Sequence, residues 1–234
     1  MPTMKAVALN IETEGNPDML DIIPEPDIKL GNTKDPEKIR IRQEEARQKT
    51  ISHLALDPYF GRVLCATLAI RKAEADGAIG LKTVTVFAAD HTERDLIDWI
   101  WKHLAGTASE AVRLITFNGS GFDIPFLQIR SLLNKIVAPM ITVNRYHTMD
   151  PAGGHFDAMT FLHGTNDNNP MGLSRTLAFY AKQILGENFP YGDIDQSQLG
   201  ERLRAGDRNT IKDLCEWNAT RTLLLYETIQ HYLG

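Results

Sequence analysis

The sequence predicts an α/β fold, a mixed five-stranded sheet with helices on both faces. Three observations lead there. Three β-type segments precede the first amphipathic helix, strand and helix then alternate, and no Gly-x-Gly-x-x-Gly follows the first strand. A dinucleotide-binding sheet would alternate strand and helix from its start and carry that glycine turn. The 234 residues suffice to bury the core of one such domain, so 1–234 is read as a single domain.

The first strand is expected over 5–13, Lys-Ala-Val-Ala-Leu-Asn-Ile-Glu-Thr. Side chains alternate along a strand, so Ala6, Ala8, Asn10 and Glu12 share one face and Val7, Leu9 and Ile11 the other. Segment 14–60 follows; it is too long for a hairpin connection and reads as an insertion with structure of its own. Within it, Asp18 to Thr33 contains Pro24 and Pro26 and is expected to be irregular. Asp35-Pro36 reads as an N-cap with proline at the first helical position, opening a helix from Pro36 to about Leu54. Residues 34–49 carry Lys34, Lys38, Arg40, Arg42, Arg47 and Lys49 against Asp35, Glu37, Glu44 and Glu45, a local excess of +2. That helix is either a substrate-facing lip or a solvated face laced with opposite charges.

Further strands are expected at 62–72 and 82–89, where β-branched residues gather. Thr92 with Asp95 forms an approximate capping box for a helix through Leu96, Ile97, Ile100 and Trp101 to Gly106. A strand at 112–117, a helix from Asp123 to about Ile136, a short strand near 156–162, a helix from Ser174 to Leu185 ending at Gly186, and a long helix near 208–232 complete the order.

Composition sets bounds rather than a function. Apolar residues at 43% and charged residues at 24% describe a soluble globular chain. No apolar run approaches the roughly 20 residues that span a bilayer, and no signal region opens the chain, so a cytoplasmic protein without a membrane partner is expected. The net charge of −5 argues against coating nucleic acid by bulk electrostatics but does not exclude a nuclease. Cys65 and Cys215 sit in apolar segments and read as reduced core thiols rather than zinc ligands.

The most informative stretch is Phe117-Asn118-Gly119-Ser120-Gly121-Phe122-Asp123-Ile124-Pro125-Phe126-Leu127, which ends a buried strand and opens a helix on an aspartate. It resembles the second motif of the DEDD 3′–5′ exonucleases, especially stand-alone phage and bacterial relatives of the family-B DNA polymerase proofreading domain. Lys34-Asp35-Pro36-Glu37-Lys38-Ile39, Leu56-Asp57-Pro58 and Gly61-Arg62-Val63 are similar to the insertion of those relatives. The resemblance implies an RNase H-like domain that acts on DNA 3′ ends or single-stranded DNA by two-metal phosphodiester hydrolysis, with Mg²⁺ or Mn²⁺ held by carboxylates. It also implies substrate-binding roles for Thr13, Asn118, Gly119 and Phe122, with Arg40 and Arg42 on the lip.

The catalytic motifs depart from that pattern. The first motif of the family is Asp-x-Glu, and this chain reads Asn10-Ile11-Glu12. The second matches at Asp123. The third, Tyr-x-x-x-Asp, becomes Leu214-Cys215-Glu216-Trp217-Asn218, so Leu214 replaces the tyrosine and Asn218 the aspartate. Asp213 stands where a histidine variant would need its histidine. Leu214 and Asn218 are four residues apart and share a helix face, expected to point at the site. Asparagine offers a neutral carbonyl, so the formal charge of the four ligand positions drops from −4 to −2. Glu12, Asp123 and Asp157 remain as candidate metal ligands, enough for at most one weakly held ion. Three readings stay open: natural decay into a single-strand-binding or partner-docking module, deliberate inactivation of an active parent, and a slow one-metal nuclease.

Overall fold

The computed structural model describes residues 3–23, 35–73, 78–106, 110–139, 154–163 and 175–233. Five strands, β1 (Thr3–Gly15), β2 (Gly61–Ala73), β3 (Ile79–Phe87), β4 (Glu110–Thr116) and β5 (Gly154–Asp157), form one sheet in the order β3-β2-β1-β4-β5. β2 runs antiparallel to both β1 and β3, whereas β4 runs parallel to β1 and β5. The sheet is therefore mixed, as expected.

Helices cover both faces. They are α1 (Pro36–His53), α2 (Glu93–Leu104), α3 (Asp123–Leu133), α4 (Ala158–His163), α5 (Leu177–Tyr180), α6 (Leu199–Arg204) and α7 (Arg208–Leu233). Val7, Leu9 and Ile11 of β1 pack with Leu96, Ile100 and Trp101 of α2 and with Ile124 and Leu127 of α3. On the other face Ala8 packs with Ala219, Leu223 and Tyr226 of α7. The alternation read from β1 thus separates two cores and leaves Asn10 and Glu12 on the α7 side. Among the described residues no helix is long and apolar enough to cross a membrane.

Thr92 caps α2 with the expected box, both halves of which are made with Asp95. Asp35 accepts from the Glu37 N–H at the start of α1, and Gly186, at φ 74°, ends the π turn Ala181–Leu185 that continues α5. Three expectations need correction. The strand near 156–162 stops at Asp157 and becomes α4, because the Asp157 carboxylate accepts from the N–H groups of Met159 and Thr160 and caps the helix. Strand 82–89 ends at Phe87, with Ala88–Asp90 forming a 3-10 turn. The stretch expected to be irregular from Asp18 instead begins as a 3-10 helix, Pro17–Ile22, capped by the Asn16 side chain; residues 24–34, with Ser174, lie outside the described residues. Cys65 and Cys215 are both buried and free, their Sγ atoms 3.1 Å apart, and burial pushes the Cys215 thiol up.

One buried ion pair ties α2 and α3 to the sheet. Glu93 accepts from the Arg130 guanidinium at 2.9 and 2.5 Å, from the Val63 N–H at 2.8 Å and from the Asn134 amide at 3.1 Å. Breaking such a pair strands the remaining charge, whereas neutralising both members does not. Arg130→Met is expected to lower unfolding stability by about 3–5 kcal/mol, and Arg130→Met with Glu93→Gln to recover much of that loss. Urea denaturation checks it; equal losses in the single and double variants would place the cost in packing.

Candidate active site

The crevice lies where β1 loses one neighbour. Pairing of β1 with β4 ends at Ala8, whereas pairing with β2 continues to Gly15. Beyond Ala8 no other strand among the described residues pairs with that edge of β1, and there the Ile11 N–H donates to Asp123 Oδ1 at 3.3 Å. Glu12 lies next along the strand. Its Oε1 accepts from the side-chain amides of Asn10 at 3.0 Å and of Asn218, on α7, at 3.1 Å. An ionised carboxylate has only acceptors, so both amides must turn their NH₂ groups toward it. Four ligand positions predicted from three distant motifs therefore meet in one place.

The two carboxylates differ in support. Burial pushes Asp123 up to about 7, aided by the charges of Glu12 and Asp157 and only partly opposed by backbone N–H groups of Ile11 and Asp123 itself. Burial also raises Glu12, and the amides of Asn10 and Asn218 offset only part of that rise. Desolvation wins at Asp123 because its one long-range donor is long, at 3.3 Å.

Asp157 is near this crevice and accepts four backbone N–H groups. Oδ1 accepts from the N–H groups of Asn118, Met159 and Thr160 at 3.0, 3.0 and 3.2 Å, and Oδ2 from Ser120 at 2.8 Å. Three of these donors share Oδ1 and one meets Oδ2, so in this structure it positions the motif loop. Asn118 takes a left-handed conformation, φ 66°, and accepts at its carbonyl from Gly121 and Phe122. Gly119 is dictated by space, since a Cβ there would lie 2.2 Å from Thr116 Oγ1. Thr116 in turn meets His155 Nε2 at 2.6 Å, and burial lowers His155 to about 4, leaving it neutral.

The other predicted site residues scatter. Leu214 is fully buried and packs with Leu64, Cys65 and Phe87, one turn before Asn218 on the same helix face and against the strand residue that pairs with Glu12. Thr13 is buried and donates to the Ala55 carbonyl at 2.6 Å. Phe122 is half-buried against the α2/α3 core, its ring 5.3 Å from Phe126. Arg40 and Arg42 stand exposed on α1. Sequence reasoning missed the loop-organising role of Asp157 and a Glu14–Arg62–Arg204 cluster beyond Glu12. Among the described residues no group of three or more His, Cys, Asp or Glu could hold a metal ion.

Comparison with known proteins gives the family and the fold. A family model described as a predicted 3′–5′ exonuclease related to the exonuclease domain of PolB matches residues 57–234. Asn10 and Glu12 fall before that range. Among solved structures, the family B DNA polymerase from the hyperthermophilic archaeon Pyrobaculum calidifontis is similar, with a TM-score of 0.60 and 16% identity over 98% of this chain and 25% of that one. This chain thus spans a quarter of the polymerase's length, and at such identity the likeness shows the fold alone, the RNase H-like fold of a polymerase exonuclease domain. No curated protein matches the sequence.

The Asp123 carboxyl gives a pH signature. Folded, it keeps its proton up to about pH 7; unfolded, it releases it near the ordinary value of 3.8. Between those values the folded chain holds more protons than the unfolded one, so this group's contribution to stability is present at low pH and lost as pH rises to about 7. Asp123→Asn should remove that loss and raise the melting temperature at pH 8 by several degrees over the parent, with a much smaller difference at pH 4. Calorimetry across that range decides; an equal shift at both ends would locate the effect in packing.

Proposed function

Since the chain belongs to the family of predicted 3′–5′ exonucleases related to the PolB exonuclease domain, we propose that it binds single-stranded DNA or DNA 3′ ends with phosphodiester hydrolysis absent or much reduced. We read 1–234 as one exonuclease-like domain with an insertion at 14–60. Members of the family act on nucleic acid through divalent metals. The observation that carries the reading is that Glu12 Oε1 accepts from the amide groups of both Asn10 and Asn218.

At positions where carboxylates would face cations, two neutral amides instead donate to the one acid between them. Their N–H groups take the place of positive charge. A pair of dications does not fit this donor set, because only Glu12 and Asp123 bring charge and Glu12 is already served by amides. One weakly held Mg²⁺ or Mn²⁺ on Glu12 and Asp123 is the most it supports, with Asp157 acting on the loop rather than on the ion. Binding does not need the metal: fewer carboxylates in the crevice repel a phosphate less. Arg40 and Arg42 on exposed α1 supply positive charge for the strand. Loss of the tyrosine at 214 adds to the loss of rate, since leucine there has no hydroxyl with which to orient water.

Rescue tests the reading. Asn10→Asp with Asn218→Asp changes little volume and restores the charge needed for two ions. The variant is expected to bind Mn²⁺ far more tightly by calorimetry and to begin digesting 3′-labelled single-stranded DNA, while the parent binds the strand without digesting it. Two tight metal sites in the parent would overturn the reading. Absence of parent binding at low salt would favour a partner-docking module instead, and unchanged binding by Arg40→Glu with Arg42→Glu would remove α1 from the interface.

A further inference from the structure

Beyond Glu12, the next residue on the same face of β1 is Glu14, about 6.6 Å further along the strand. It is a buried carboxylate shared by two arginines. Oε1 accepts from Arg62 Nε at 2.9 Å and pairs with Nη2 at 2.7 Å, while Oε2 accepts from Arg204 Nη1 at 2.8 Å. The Glu14 side chain is 8% exposed, those of Arg62 and Arg204 35% and 58%. One carboxylate and two guanidiniums leave a local charge of +1.

The cluster is built into the fold. Gly200 of α6 lies directly on Glu14, and a Cβ there would fall 1.7 Å from its Oε2 and 2.8 Å from its Cδ, so any side chain at that position would displace the carboxylate from under Arg204. Both arginines border a cavity of about 390 Å³ that His91, Thr92 and Leu203 also line. Of the two acids on its wall, Glu14 holds the arginines and Glu93 is already paired with Arg130. Arg204 also borders a second cavity, of about 280 Å³, shared with Gln48 and Ser197, where the exposed acid is Glu201. A buried carboxylate needs one guanidinium. The second arginine, more than half exposed and using a single N–H, has donors left for something else.

We propose that Arg62 and Arg204, set by Glu14, form a clamp for a phosphodiester of the bound strand, one position along β1 from the crevice at Glu12. The clamp deepens the DNA-binding reading and rests on it. Guanidinium forks match phosphate oxygens in two-point geometry, and a positive charge just beyond an acidic crevice gives the strand a direction. Glu14 holds the forks in place and limits their charge.

That division of labour makes opposite predictions for two variants. Arg204→Gln lowers the local charge from +1 to 0 and should weaken binding of a fluorescein-labelled single-stranded oligonucleotide about threefold to tenfold, flattening the salt slope by about 0.7. Glu14→Gln raises the charge to +2 and should tighten binding and steepen the slope, which a purely structural role for Glu14 would not do. Arg204→Lys should keep most of the slope and decides the matter if Glu14→Gln does not fold. Anisotropy on the full chain reads all three, with circular dichroism confirming folding. Parent-like binding by Arg204→Gln overturns the clamp and leaves the DNA-binding reading standing; no binding by the parent overturns both. Displacement of the oligonucleotide from the parent but not from Arg204→Gln by millimolar inorganic phosphate supports the clamp. Arg204-dependent protection by inorganic phosphate, combined with oligonucleotide binding that does not depend on Arg204, would make this a free-anion site and overturn it.

Discussion

Four backbone N–H groups converge on the carboxylate of Asp157, and the placement of the candidate site depends on them. The loop between β4 and α3 turns through a left-handed Asn118 and a Gly119 pressed against Thr116, so its amides cannot join the sheet ladder. Buried N–H groups without partners would each cost about 1–3 kcal/mol. Asp157 answers two of them in the loop and two more in the first turn of α4. One side chain at the end of an edge strand thereby fixes where α3 starts. Asp123, its first residue, reaches the edge of β1 beyond Ala8 as a consequence.

Charge is the second constraint, and it is met unequally. Asp123 is buried with few donors, so desolvation raises it to about 7 and the neutral form competes near physiological pH. Glu12 keeps two amides on one oxygen, each a hydrogen bond to a charged acceptor worth about 1.5–3 kcal/mol. Aspartates at positions 10 and 218 would place three acids around the same point, which is unfavourable unless cations are present. The asparagines let this crevice close on itself without one. In the reading proposed for this crevice, the exchange that would remove metal ligands would also stabilise the metal-free fold.

The legible parts of the molecule were those where one local rule governs. The alternation along β1 separates the two cores and carries Asn10 and Glu12 to one face because both faces are covered by helices. The box at Thr92, the proline after Asp35 and the glycine after Leu185 mark helix ends through chemistry that acts within a turn. What was missed depends on distant partners. The run after Asp157 reads as strand by composition, but a side-chain cap makes it helix. Leu214 shares a helix row with Asn218, but its full burial among Leu64, Cys65 and Phe87 depends on where α7 crosses the sheet, which no spacing states. The Glu14 cluster joins residues 48 and 190 positions apart, and no spacing signals it.

Crevice and arginine cluster share one cause in the path of β1. Its first half is hemmed by β2 and β4, and there small and aliphatic side chains fill both faces. Among the described residues its second half pairs with β2 alone, with an extra residue in the ladder near Leu64 that disturbs the register between Glu12 and Thr13. Three consecutive residues then serve three purposes: Glu12 faces Asn218, Thr13 turns to the Ala55 carbonyl, and Glu14 faces Arg204. Strand alternation puts the two acids on one side, a short distance apart, one closed by amides and the other over-supplied with guanidinium. A phosphate chain passing over that side meets a neutralised crevice followed by a positive clamp, an order imposed by the period of two that makes β1 a strand.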